Sequence, residues 1–140
     1  MDGDWSAFIR RLEAAEADFA LGRPDEFKAL WSHADDVTIF GAFGNAVTGW
    51  SNVAARLDWA SSAFADGVRT REEIRAHVGG DFAYLVQMER IDYRATAATE
   101  RKSLERTTLE MRVTMVFRRE AGGWRIVHRH ADPQTKTHIS

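Results

Sequence analysis

The chain has 140 residues, 19 Lys and Arg against 21 Asp and Glu, a formal net charge of −2, and no cysteine. Its length suits one domain, 1–140, able to bury about two-thirds of its unfolded surface, and a 44% hydrophobic share with two prolines excludes a disordered chain. The balanced charge argues against a nucleic-acid partner, the missing cysteines exclude disulfides and thiolate chemistry, and with no signal-peptide core and no run of ~18 apolar residues the sequence predicts a cytoplasmic protein without a membrane partner.

Trp5, Phe8, Ile9, Leu12, Ala15 and Phe19 recur at helical spacing and predict a first helix that stops at Gly22. Pro24 suits the first turn of a second, short helix with Phe27, Leu30 and Trp31 on one face. Residues 37–40 read as a strand bounded by Gly41 and Gly44. A third helix follows Gly49; Trp50, Val53, Leu57 and Phe64 form its stripe, and Asp66-Gly67 ends it. From Arg71 onward the pattern is all strand: 73–78, stopped by Gly79-Gly80, then 81–93, then 104–119. In the last of these Leu109, Met111, Val113, Met115 and Phe117 alternate with Glu110, Arg112, Thr114, Val116 and Arg118. The polar residues 94–102 form a long turn, and 120–123 a hairpin turn into the last strand, 124–130. Helices gathered first and long antiparallel strands afterwards predict an α+β fold, with helices on one face of a curved sheet and a cavity between them.

Strand alternation on WRIVHRHADP places Trp124, Ile126, His128, His130 and Asp132 on one face, and Arg125, Val127, Arg129 and Ala131 on the other. That face begins apolar and turns polar where the cavity should open. His128 and His130 are the groups whose ordinary pKa lies near neutrality, so either can take or give a proton. Arg112 would anchor a substrate oxyanion or pair across strands with Glu89, and Glu89 or Asp36 would orient the imidazole. Trp31, Phe40, Phe43, Trp50, Trp59 and Tyr84 supply rings for an apolar ligand-binding wall. The bland readings compete: a histidine at a solvated sheet edge, a structural ion pair, aspartates that end a helix, and rings that are plain core. His-X-His with His33 or Glu89 could also hold a metal, but the spacing is common, and the sequence predicts neither metal nor cofactor.

The order of elements, with ADDVTIF at 34–40 and MRVTMVFRR at 111–119 before GGWRIVHRHADP at 122–133, resembles the SnoaL-like families of the nuclear-transport-factor-2-like, or ketosteroid-isomerase-like, superfamily. The resemblance covers nearly the whole chain. It implies a cone-shaped half-barrel, a curved mixed or antiparallel β-sheet wrapped by three helices from the N-terminal half around a pocket, and a homodimer formed through the sheet. It also implies where a steroid isomerase would carry its base and its two acidic donors: at Gly41, near Ala17 and near Met115. None of these can do that work, and Phe40, Ala42 and Val116 beside them cannot either, so that machinery is absent.

Two functions follow. One is a cofactor-free acid–base enzyme, of isomerase, cyclase, dehydratase or hydrolase type, on a hydrophobic carbonyl or polyketide-like substrate. The other is a non-catalytic dimeric ligand-binding or association domain, for which Val113, Met115 and Phe117 offer a contact surface.

Overall fold

The computed structural model describes residues 2–96 and 106–134. Helices α1 (Asp2–Phe19), α2 (Asp25–Ala29) and α3 (Trp50–Ser61) are joined by strands β1 (Thr38–Gly41), β2 (Gly44–Thr48), β3 (Phe64–Val78), β4 (Phe82–Ala95), β5 (Arg106–Glu120) and β6 (Gly123–Pro133). The six strands form one curved, unclosed sheet in the order β2-β1-β6-β5-β4-β3. Every pairing is antiparallel except β1 with β6, which is parallel. The fold is mixed α+β, as expected.

The helices cover one face of this sheet. Ala83, Leu85 and Ile91 of β4 and Met111, Val113, Met115 and Phe117 of β5 point to that inner face, each buried, and meet Phe8, Leu12 and Ala15 of α1. Trp5 stacks edge-on against Phe117 and Trp124, with ring centroids 5.0 and 5.5 Å away. The fully buried large side chains among these, such as Leu12, Leu85, Met115 and Phe117, each contribute about 1.5–3 kcal/mol of transfer free energy. Val113, Met115 and Phe117 are therefore inner core, and the expectation that they form a dimer surface is corrected: the helices already cover them.

Two elements depart from the expected pattern. Strand β2 pairs with β1 through Thr38↔Thr48 and Ile39↔Val47, yet its residues are mostly exposed, so GNAVT carries no apolar alternation to announce it. Strand β3 starts at Phe64 rather than at 73, and Asp66-Gly67 is an irregularity inside it rather than a helix stop. Asp66 takes φ 52°, and Gly67 donates its N–H to the Ala20 carbonyl at 3.0 Å. A Cβ at Gly67 would collide with that carbonyl, which explains the glycine. The expected turn at 94–102 lies outside the described residues from 97 onward; Arg94 and Ala95 still belong to β4.

Candidate functional site

Strand β6 has one residue more than its partner. Phe117 pairs with Ile126 but Val116 pairs with His128, leaving Val127 as the extra residue of a β-bulge. An added residue reverses the alternation beyond it, because side chains repeat every second position. Trp124 and Ile126 therefore point inward, and so do Arg129 and Ala131, while His128, His130 and Asp132 emerge on the outer face. The one face expected to run from apolar Trp124 and Ile126 to polar His128, His130 and Asp132 is split between the two sides of the sheet.

A cavity of about 70 Å³ lies between the inner face and the helices. Its walls are mainly apolar, with Phe19, Phe27, Ile39, Phe43, Phe64 and Met111 among them, and five charged residues reach it: Glu16, Glu89, Arg56, Arg69 and Arg129. Four of these form its floor. Arg129 holds Glu89 in a two-pronged pair, Nη1 to Oε2 at 2.8 Å and Nη2 to Oε1 at 3.0 Å. Arg69 donates from Nε to Glu89 Oε1 at 3.4 Å, and the Gln87 side-chain amide donates to Glu89 Oε2 at 2.6 Å. Arg71 holds the Gln87 carbonyl in turn, at 3.0 Å.

Glu16, the other carboxylate, comes from α1. Its Oε1 lies 2.9 Å from Arg69 Nη2, and its Oε2 3.6 Å from Arg129 Nη1. The shorter contact is off the N–H axis, so neither of its two atoms makes an aligned hydrogen bond. Burial, followed by the nearby Glu89 charge, raises the Glu16 carboxyl from 4.5 to about 7 against the pull of Arg69 and Arg129. Glu89 goes the other way. Burial alone would raise it, but the Arg129 and Arg69 charges and their hydrogen bonds hold it well below the usual carboxylate range. The two carboxyls thus share one site with their pKa values driven apart, the arrangement that general acid–base chemistry calls for.

The residues expected at the site scatter. Only Glu89 and Phe43 line the cavity. His128 bonds the Thr38 hydroxyl at 2.7 Å on the outer face, where Phe40 lies edge-on to both His128 and His130. Burial, then the His130 charge, lowers His128. Arg112 does not meet Glu89; it forms an exposed two-pronged pair with Asp132 at 2.8 and 2.9 Å on the outer face. Asp36 sits at a sheet corner gripped by Arg118 at 2.7 and 3.1 Å, and the hydrogen bond from that guanidinium lowers its pKa. Trp31 is core, 6.2 Å from Phe27; Trp50 stacks on His33 at 4.0 Å; Tyr84 is exposed on the outer face against His77. Trp59 is edge-on to Phe43 at 5.6 Å and so flanks the cavity. Among the described residues no group of three His, Asp or Glu is placed to hold a metal, and no helix is long and apolar enough to cross a membrane.

Glu16 carried a signal in the sequence. It stands four residues after Leu12 and three before Phe19, a carboxylate inside the apolar stripe of α1 and next to Ala17, where the resemblance puts a donor tyrosine. Arg129 carried none, since its face depends on the bulge.

The family profile described as SnoaL-like domain matches residues 10–133. Among solved structures, a Streptomyces avermitilis protein of the nuclear-transport-factor-2-like family, provisionally named a dehydratase, superposes with TM-score 0.73 at 18% identity, covering 91% of this chain and 94% of its own. A Novosphingobium aromaticivorans protein provisionally named a scytalone dehydratase gives 0.71 at 17%, covering 100% and 94%. A Thiobacillus denitrificans protein provisionally named a calcium/calmodulin-dependent protein kinase type II association domain gives 0.71 at 23%, covering 93% and 94%. At these identities the likeness is one of fold. No curated protein matches the sequence significantly.

Proposed function

The chain belongs to the SnoaL-like domain family, and from that premise we propose that it is a cofactor-free acid–base enzyme, acting in the cytoplasm on a small hydrophobic carbonyl compound bound in the inner cavity. The observation that carries this reading is Glu16, a buried carboxyl on the cavity wall, raised to about 7 and lacking an aligned hydrogen bond at Oε1. Ionised, it can take a proton from the carbon beside a carbonyl; protonated, it can return that proton elsewhere on the same molecule. Arg69 and Arg129 supply positive charge where an enolate oxygen would develop, and Glu89 holds both guanidiniums in place beforehand. Proton removal and return of this kind serves isomerisation, cyclisation and dehydration alike. Two of the structurally similar proteins carry provisional dehydratase names, which agrees with this chemistry.

Hydrogen–deuterium exchange reads the proton step before any product is known. Against a panel of small cyclic enones and 1,3-diketones in D₂O, followed by NMR, the wild type is expected to speed exchange at the α carbon. Glu16→Gln is expected to lose about 10²–10⁴-fold of that acceleration. Exchange no faster than in buffer for every compound would remove the enzyme reading and favour a binding or association domain.

A homodimer through the outer face belongs to the same proposal. Ile74, Phe82 and Tyr84 are exposed there beside half-buried Val86, Met88 and Val116, an apolar patch on a sheet face without helices. Sedimentation is expected to give a dimer for the wild type and a monomer for Ile74→Glu. A wild type that sediments as a monomer at tens of micromolar refutes the dimer.

A further inference from the structure

The cavity holds more positive charge than its floor uses. Three guanidiniums line it, Arg56, Arg69 and Arg129, against two carboxylates, Glu16 and Glu89. Arg69 and Arg129 are committed to those carboxylates. Arg56 is not: among the described residues no carboxylate lies within ion-pair distance of it.

Arg56 is half-buried on α3 and held in place by neutral partners. Its Nη2 donates to the Gly44 carbonyl at 2.8 Å, and its guanidinium carbon lies 4.4 Å over the Trp59 ring. It also lies against the Gly41 backbone, so close that a Cβ there would be 3.6 Å from both Nε and Nη2. A guanidinium has five N–H donors, and one of them is engaged here. The surrounding residues place Arg56 at the mouth. Phe43 and Trp59, the two rings nearest this corner, are 37% and 40% exposed, whereas Glu16 and Glu89 at the floor are 4% and 3% exposed. Burial has lowered the Arg56 pKa, as expected of a cation that gives up water without gaining a counter-charge.

Resting on the acid–base reading of the same cavity, we propose that its substrate is a carboxylate: an acid with a short apolar body, whose anion is clamped by Arg56 at the mouth while its reactive end reaches Glu16 at the floor. A carboxylate accepts two N–H bonds from one guanidinium in a plane, which fixes the ligand's direction as well as its depth. The excess positive charge around the cavity then becomes balanced when the ligand enters, and a neutral analogue leaves Arg56 as it is now. The apolar walls take the body of the molecule, and the anion sets which end goes in first.

Hexanoate and hexanamide test this, because they match in shape and differ in charge. Titration calorimetry on the wild type is expected to find hexanoate bound at least about ten-fold more tightly than hexanamide. Arg56→Gln is expected to bring the two within about two-fold while leaving hexanamide binding unchanged, and Arg56→Lys to keep part of the preference because a point charge lacks the fork. Equal affinities in the wild type, binding of neither probe, or a preference that survives Arg56→Gln would each overturn the proposal; the last would assign the anion to Arg69 and Arg129. Glu16→Gln separates the two readings. If it keeps the hexanoate preference while the wild type shows no proton exchange on any carbonyl compound, the acid–base reading fails and the carboxylate clamp stands. If exchange is present and Glu16-dependent but the preference is absent, the clamp fails alone.

Discussion

Arg129→Met is expected to destabilise the protein by about 3–5 kcal/mol, measured by urea denaturation, because it strands a buried charge. Glu89 has a side chain only 1% exposed and receives two short bonds from Arg129. Without that guanidinium it keeps the longer contacts to Arg69, 3.3 and 3.4 Å, and the Gln87 amide, which do not offset the loss of water around a full negative charge. The loss should come from the stranded partner rather than from the missing contact itself. The double variant Arg129→Met/Glu89→Leu is therefore expected to recover most of the lost stability, since it leaves Arg69 facing Glu16 as a matched pair. Arg112→Met provides the contrast. It removes bonds of equal length to Asp132, but that pair is open to water in the single chain, so in the Ile74→Glu background expected to be monomeric it should leave the denaturation midpoint in place. A full-sized loss in Arg112→Met, or none in Arg129→Met, would contradict this account of the floor.

The second large effect is on pH dependence. The Glu16 pKa is raised from 4.5 to about 7 in the folded protein, so below 4.5 both folded and unfolded chains hold the proton. As pH rises past 4.5 the unfolded chain releases its proton first, and the folded state is progressively disfavoured until Glu16 itself ionises near 7. Glu89 has the opposite sign: its lowered pKa adds stability that is complete above the unfolded carboxyl range and is lost as pH falls through the folded value. The stability of Glu16→Gln relative to wild type should therefore grow by roughly 2 kcal/mol between about pH 5 and pH 8. Parallel stability–pH curves for the two proteins would place the Glu16 pKa back in the ordinary range and remove its fitness for proton transfer at neutrality.

Most helices and strands were legible because their cores are periodic: Phe8, Leu12 and Ala15 on a helix, Met111, Val113, Met115 and Phe117 on a strand. What escaped was structure without a burial pattern. Strand β2 is held by backbone pairing to β1 at the sheet edge and presents few buried side chains. Residues 64–72 alternate correctly only if the break at Asp66-Gly67 is recognised as a bulge, and a positive φ at an aspartate leaves no mark in sequence periodicity. The site was half legible for the same reason. The inward placement of Glu89 follows from alternation with Leu85 and Gln87, uninterrupted along β4. His128, His130 and Arg129 lie past the β6 bulge, beyond which plain alternation puts each side chain on the wrong side of the sheet. Glu16 stood inside an apolar stripe, where a buried carboxylate was the informative exception.

The bulge at Val127 also makes the contents of the cavity a matter of counting. Straightening the strand with Val127 kept, so that Val127 rather than His128 faced Val116, would turn the two imidazoles inward and the guanidinium outward without any change of sequence. Deleting Val127 would instead close the bulge and leave each of these side chains on its present side. The identity of the groups that reach the ligand is thus held by one pairing choice in the last strand, and a homologous chain one residue shorter there can present the same guanidinium–carboxylate floor from a regular strand.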